Sequence, residues 1–107
     1  MNHYSVVFAP EASEQLDKLF RYIADQGSPL IAERFIDAII ATCETLASFP
    51  YRGVSREDVR PGLRITHHKG RTIIAYAVNE TKRMVLILGI FYGGQAYEAF
   101  FETETDD

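Results

Sequence analysis

The chain has 107 residues, 47% of them apolar, and a formal net charge of −4; that is one domain with a real core, and a mildly negative field that excludes a generic polyanion binder. The longest apolar runs, such as 84–92, are too short to cross a bilayer, and Met1-Asn2-His3-Tyr4 lacks the basic-then-apolar order of a secretion signal, so a cytoplasmic protein is expected. Cys43 has no second cysteine to pair with, which fits a reducing compartment.

Tyr4 to Phe8 is a β-prone run and predicts the first strand. Pro10 suits the first turn of a helix, where its missing N–H costs nothing, although Ala9 is a poor cap. Ala12, Leu16, Leu19, Phe20 and Ile23 then recur on one helical face, up to a stop at Gly27. Ser28 and Pro29 open a second helix, expected to run to Phe49 before Pro50. The short link between the two helices predicts an antiparallel hairpin. The second helix carries two apolar stripes: Phe35, Ile39, Thr42, Leu46 and Phe49, and beside them Ile36, Ile40, Cys43 and Ala47. So wide an arc implies broad burial or a groove left for a partner.

A charged loop, Tyr51 to Pro61, leads to three strands: Leu63 to His67, Arg71 to Val78, and Met84 to Tyr92. Short polar links predict antiparallel hairpins between them. In the last strand strict alternation puts Met84, Leu86, Leu88 and Ile90 on one side and Val85, Ile87 and Phe91 on the other. A strand apolar on both sides is covered on both sides; the helix hairpin supplies one cover, and the C-terminal segment or a partner must supply the other. After a bend at Gly93-Gly94, Tyr97, Phe100 and Phe101 fall at helical spacing. The outcome is an α+β domain, β-α-α-β-β-β, with a two-helix hairpin on an antiparallel sheet over residues 1–101, and an acidic, frayed end at 102–107.

No metal or cofactor is expected. His67 and His68 are adjacent in a strand and point to opposite faces, and no spaced Cys or His partner exists for a zinc site. Cys43 sits on an apolar arc and reads as a small buried hydrophobe. Gly93-Gly94 lacks the spacing of a phosphate loop. The cations are unevenly placed: residues 52–83 hold eight basic side chains against Glu57, Asp58 and Glu80. Arg64, Arg71 and Arg83 lie in or beside successive strands, with Lys69 in a turn. If they converge, they could hold an RNA phosphate and stabilise charge during attack by a 2′-hydroxyl, with Tyr92, His67 or His68 moving protons. The competing reading is a solvated sheet edge, or salt bridges to an acidic partner, which the want of an obvious general base favours.

Several pieces, in order, resemble the RelE/ParE toxin superfamily: Phe8-Ala9-Pro10-Glu11-Ala12, Leu19-Phe20-Arg21-Tyr22-Ile23-Ala24, Ala32-Glu33-Arg34-Phe35-Ile36-Asp37-Ala38-Ile39, Leu46-Ala47-Ser48-Phe49-Pro50 with Arg52-Gly53, Pro61-Gly62-Leu63-Arg64, and Val85 through Gln95. The Phe49-Pro50 ending, the Pro61-Gly62-Leu63-Arg64 entry and the Tyr92-Gly93-Gly94-Gln95 exit are similar to the ParE branch; Ala9 stands where such chains usually have Ser or Thr. The resemblance implies the toxin of a bacterial type II toxin–antitoxin pair, causing growth arrest and neutralised by a ParD-like or similar antitoxin. Its implied target is DNA gyrase, with no enzyme activity of its own. The RelE branch would instead cut messenger RNA on the ribosome with Arg64, Arg71, Arg83 and Tyr92, and a degenerate antitoxin binder is a third possibility. The expected antitoxin contacts come from Leu16, Leu19, Phe20, Ile23, Ile36 and Ile40. The expected target contacts are Arg64, Lys69, Arg71, Arg83, Tyr97, Phe100 and Phe101. Neither membrane binding nor sequence-specific DNA binding by the chain alone is expected.

Overall fold

The computed structural model describes residues 3–105. β1 (Ser5–Phe8) leads into α1 (Pro10–Gln26) and α2 (Pro29–Glu44), followed by a 3₁₀ turn at Thr45–Ala47. β2 (Val54–Ser55), β3 (Arg64–His68), β4 (Thr72–Asn79) and β5 (Met84–Tyr92) complete the sheet, and α3 (Tyr97–Thr105) follows. Ala9 makes no side-chain cap, whereas the Ser28 hydroxyl accepts the Ile31 N–H. α2 stops short of Phe49: at its C-cap, Thr45, the chain tightens into the 3₁₀ turn, and the Thr45 hydroxyl donates to the Thr42 carbonyl. Such back-bonding offers the backbone an alternative to further α-helix.

The sheet has five strands in the order β1-β5-β4-β3-β2, and it is mixed. β1 runs parallel to β5, with Ser5 opposite Met84 and Phe8 opposite Ile87, while the other pairs are antiparallel. The expected antiparallel meander is present, and to it is added a parallel pair at the edge. Turn chemistry specifies consecutive strands, but β1 pairs with the end of the domain, and no local linker encodes that choice. β2 lies inside the segment expected to be loop; it is only two residues long, paired through Val54 with Ile65 and Ser55 with Arg64.

The two faces of the sheet hold separate cores. Under the helix hairpin lie Ala12, Leu16, Leu19, Ile39, Cys43, Leu46, Ile74, Tyr76, Val85, Ile87 and Ile90. On the other face Leu63, Ile65, Ala75, Leu88 and Phe91 pack against Tyr97 and Phe101 of α3. The second cover is thus the chain's own C-terminal helix. The register of β5 also differs from strict alternation: Ala75 faces Gly89 but Tyr76 faces Ile87, which leaves Leu88 as an extra, bulged residue. A bulge exchanges the sides beyond it, so Ile90 joins Val85 and Ile87 under the hairpin while Phe91 joins Leu88 under α3. The Ile90 N–H at this irregularity donates to Gln15 Oε1 of α1 at 2.7 Å.

α3 is pinned from the side by the loop before β3. Arg56 pairs with Asp58 at 2.9 Å and Glu98 at 3.6 Å, donates to the Tyr97 hydroxyl and lies over the Tyr97 ring. Of the segment expected to fray, 102–105 continue α3, and 106–107 lie outside the described residues. Among the described residues no helix is long and apolar enough to cross a membrane.

Candidate functional site

The hairpin residues expected to bind an antitoxin divide into two groups. Leu16 and Leu19 are buried beneath the hairpin, Leu19 with an edge at the cleft described below, whereas Phe20, Ile23, Ile36 and Ile40 are half-buried. More accessible are three side chains that the apolar-stripe reasoning passed over: Tyr22, Leu30 and Ile31 are 56%, 54% and 56% exposed. They share one end of the hairpin, the last turns of α1 and the first turn of α2. Their signal in the sequence was Leu30-Ile31 directly after Pro29, ahead of the stripe that begins at Phe35. A second apolar patch, with Phe49, Tyr51 and Val54 exposed, lies on the link from α2 to β2.

The cations whose convergence would make an RNA-cutting site do not meet, in line with the competing reading. Arg71 directly precedes Thr72 at the start of β4, and Arg83 directly precedes Met84 at the start of β5, with Asn79 at the end of β4 opposite Met84. Arg71 and Arg83 therefore sit at opposite ends of the β4–β5 hairpin, separated by roughly 23 Å of strand rise. Arg64 is used structurally: its Nη2 donates to the carbonyls of Gly53 at 2.6 Å and Tyr51 at 3.2 Å, and its guanidinium covers the Tyr51 ring. Arg83 stacks on Tyr4. Of the set Arg64, Arg71, Arg83 and Tyr92, the structure brings together only Arg71 and Tyr92, with the guanidinium 5.7 Å from the ring centre. Lys69 is exposed in the same turn as Arg71. Tyr97 and Phe101 are 5% and 0% exposed, so the surface role expected of them is corrected: their helical spacing marks a face turned inward onto β3 and β5. Phe100 remains half-buried.

Arg71 and Tyr92 belong to a cleft of about 420 Å³ between α1 and the end of β5. Gln15, Lys18, Leu19 and Tyr22 line one wall, and Arg71, Ile90, Tyr92, Gly93 and Gln95 the other. The backbone turns away from β5 through Gly93 and Gly94, both at positive φ, where a side chain would be strained. Gln95 Oε1 accepts the Tyr92 N–H at 2.9 Å and fixes that wall. Behind it, Phe35 stands edge-on to both Tyr92 and His68. His68 Nδ1 lies 2.8 Å from Thr42 Oγ1, whose hydrogen goes to the Ala38 carbonyl; on that pattern Nδ1 carries the proton. Burial, and then Lys69, hold the His68 pKa down, so the ring is neutral near pH 7. Cys43 is fully buried, and burial pushes its thiol up to about 12, which leaves it no nucleophilic role. Among the described residues no group of three His, Cys, Asp or Glu side chains could hold a metal ion.

A helix hairpin and a C-terminal helix clasping a mixed sheet, with apolar side chains left outside, define a small α+β fold. The solved structure of a chromosomal ParDE toxin–antitoxin system from P. aeruginosa is similar, with a TM-score of 0.73 and 19% identity, covering 87% of this chain and 99% of that one. The toxin–antitoxin complex RelBE2 from Mycobacterium tuberculosis is similar with a TM-score of 0.65 and 21% identity, covering 89% of this chain and 97% of that one. No curated protein sequence matches the chain. The family model for the ParE toxin of the type II toxin–antitoxin system parDE matches residues 6–97. The chain belongs to the ParE toxin family.

Proposed function

We propose that this toxin acts by inhibiting DNA gyrase and is kept silent by a small antitoxin bound across the helix hairpin. The observation that carries the reading is the dispersal of the arginines: Arg64 is spent on the carbonyls of Tyr51 and Gly53, and Arg71 and Arg83 lie at opposite ends of one hairpin. Cutting RNA needs several donors aimed at one phosphate, and of Arg64, Arg71, Arg83 and Tyr92 only Arg71 and Tyr92 share the cleft. A mode of action through surface binding fits that arrangement, as does the structural likeness to a ParDE system. The test is supercoiling of relaxed plasmid by purified gyrase with the toxin in excess. Inhibition is expected, relieved by the antitoxin; undiminished supercoiling would refute it.

The Arg71–Tyr92 pair in the cleft favours one second reading, cleavage of messenger RNA on the ribosome. That reading requires transcript cleavage in a translating extract that disappears in Arg71→Ala.

A further inference from the structure

We infer that the cleft between α1 and the end of β5 is a carboxylate-binding site that takes an Asp or Glu side chain of the antitoxin. The inference rests on the antitoxin-binding part of the proposed function and names the chemistry at one point of that contact. The cleft has two charged groups, Lys18 from α1 and Arg71 from the turn before β4. Both are exposed, and neither has an ion-pair partner among the described residues. The Arg71 guanidinium rests on the Tyr92 ring, which holds its plane and leaves its edge N–H groups to meet a carboxylate side-on. Leu19, Tyr22 and Ile90 form apolar walls that suit the methylene groups of an acidic side chain.

The complement is intermolecular: Lys18 and Arg71 meet no acid of the described residues, and α3, with Glu98, packs on the opposite face of the sheet. It is a single carboxylate and not a nucleic acid. A strand of nucleic acid gains its affinity by neutralising several phosphates, whereas this site has two cations on a molecule of net charge −4. The exposed Glu14 and Asp17 on the same helix repel a polyanion that extends past the cleft.

The experiment measures binding of the protein encoded beside the toxin by calorimetry, for wild type, Lys18→Glu, Arg71→Glu and the double variant. Lys82→Glu, an exposed cation in the β4–β5 turn, is the control. Melting temperatures check that the substitutions, all at exposed sites, leave the fold intact. The expected result is a loss of roughly tenfold or more in affinity at each cleft position, with the control unchanged. Wild-type affinity falls as NaCl rises, and that of the double variant barely responds. Wild-type binding with unaltered affinity in the cleft variants overturns the carboxylate site but leaves the antitoxin contact standing. No binding by wild type overturns the antitoxin contact itself, and the site with it. Loss of affinity for a single-stranded oligonucleotide with antitoxin binding intact, or loss of a low-salt dimer of the toxin, assigns the cleft to another occupant and likewise overturns the proposal.

Discussion

Gly89 illustrates how much one residue can settle in this fold. It lies beside the bulged Leu88, and a Cβ built on it would come within 2.6 Å of the Phe91 ring and 3.2 Å of Gln15 Oε1. Gly89 thus lets Phe91 fold back under α3 and lets Gln15 reach the Ile90 N–H. Gly89→Ala must displace either the ring or the helix side chain, and overpacking of this kind costs about 1–3 kcal/mol. Chemical denaturation of the two proteins, with slopes compared, checks this; a variant as stable as wild type would mean that β5 has a slack the geometry does not show. A glycine in the middle of an otherwise apolar strand is a recognised sign of a bulge. The signal was present in the sequence, and strict alternation overrode it. Arg71 and Arg83 hold a similar lesson: adjacent strands suggested convergence, yet their places at the starts of two antiparallel strands already set them at opposite ends.

Local chemistry encodes the helix starts and the long last strand. Pro10 and Ser28-Pro29 open the helices where expected, and β5 spans Met84–Tyr92 as its apolar run predicts. The pairing of β1 with β5 escaped because it joins the two ends of the domain, and β2 because two residues carry no period. One device that ties such distant elements together is a clasp around Glu80 in the β4–β5 turn. Its carboxylate accepts the hydroxyls of Tyr4, just ahead of β1, and of Tyr51, on the link from α2 to β2. The hydrogen bond from Tyr51, then that from Tyr4, hold Glu80 below the usual glutamate range, while the bond to Glu80 pushes Tyr51 up to about 12. Both shifts have a stability sign. A depressed carboxylate stabilises the fold above its unfolded pKa and loses that contribution as pH falls through its folded value. A raised phenol keeps its proton while the unfolded chain ionises, so its contribution is lost as pH climbs from about 10 toward 12. The clasp therefore acts across the neutral range and fails at both ends. Denaturation midpoints of wild type and Tyr51→Phe should differ at pH 7, and the gap should narrow as pH falls below the ordinary glutamate range; a gap that acid leaves unchanged would show that the Tyr51 hydroxyl does not act through the Glu80 charge.

The whole molecule has more apolar surface than one face of a sheet can hide, and it hides most of the surplus itself. α3 seals the second core with Tyr97 and Phe101, so the surplus legible in β5 does not call for a partner. What stays outside falls mainly in two places, the link from α2 to β2 with Phe49, Tyr51 and Val54, and the turn of the helix hairpin with Tyr22, which also lines the cleft, Leu30 and Ile31. A protein binding at that turn can place apolar side chains on the tip while reaching the cleft cations, the usual union of an apolar centre with a polar rim. Leu30→Asp and Ile31→Asp test that geometry. Each side chain is more than half exposed, so the fold should persist, with a melting temperature close to that of wild type. Affinity for the antitoxin should fall roughly tenfold or more for each, as expected when an apolar anchor is replaced by a charge. If either variant binds as wild type does, the antitoxin lies on another part of the hairpin, and the half-buried Ile36 and Ile40 become the next positions to change.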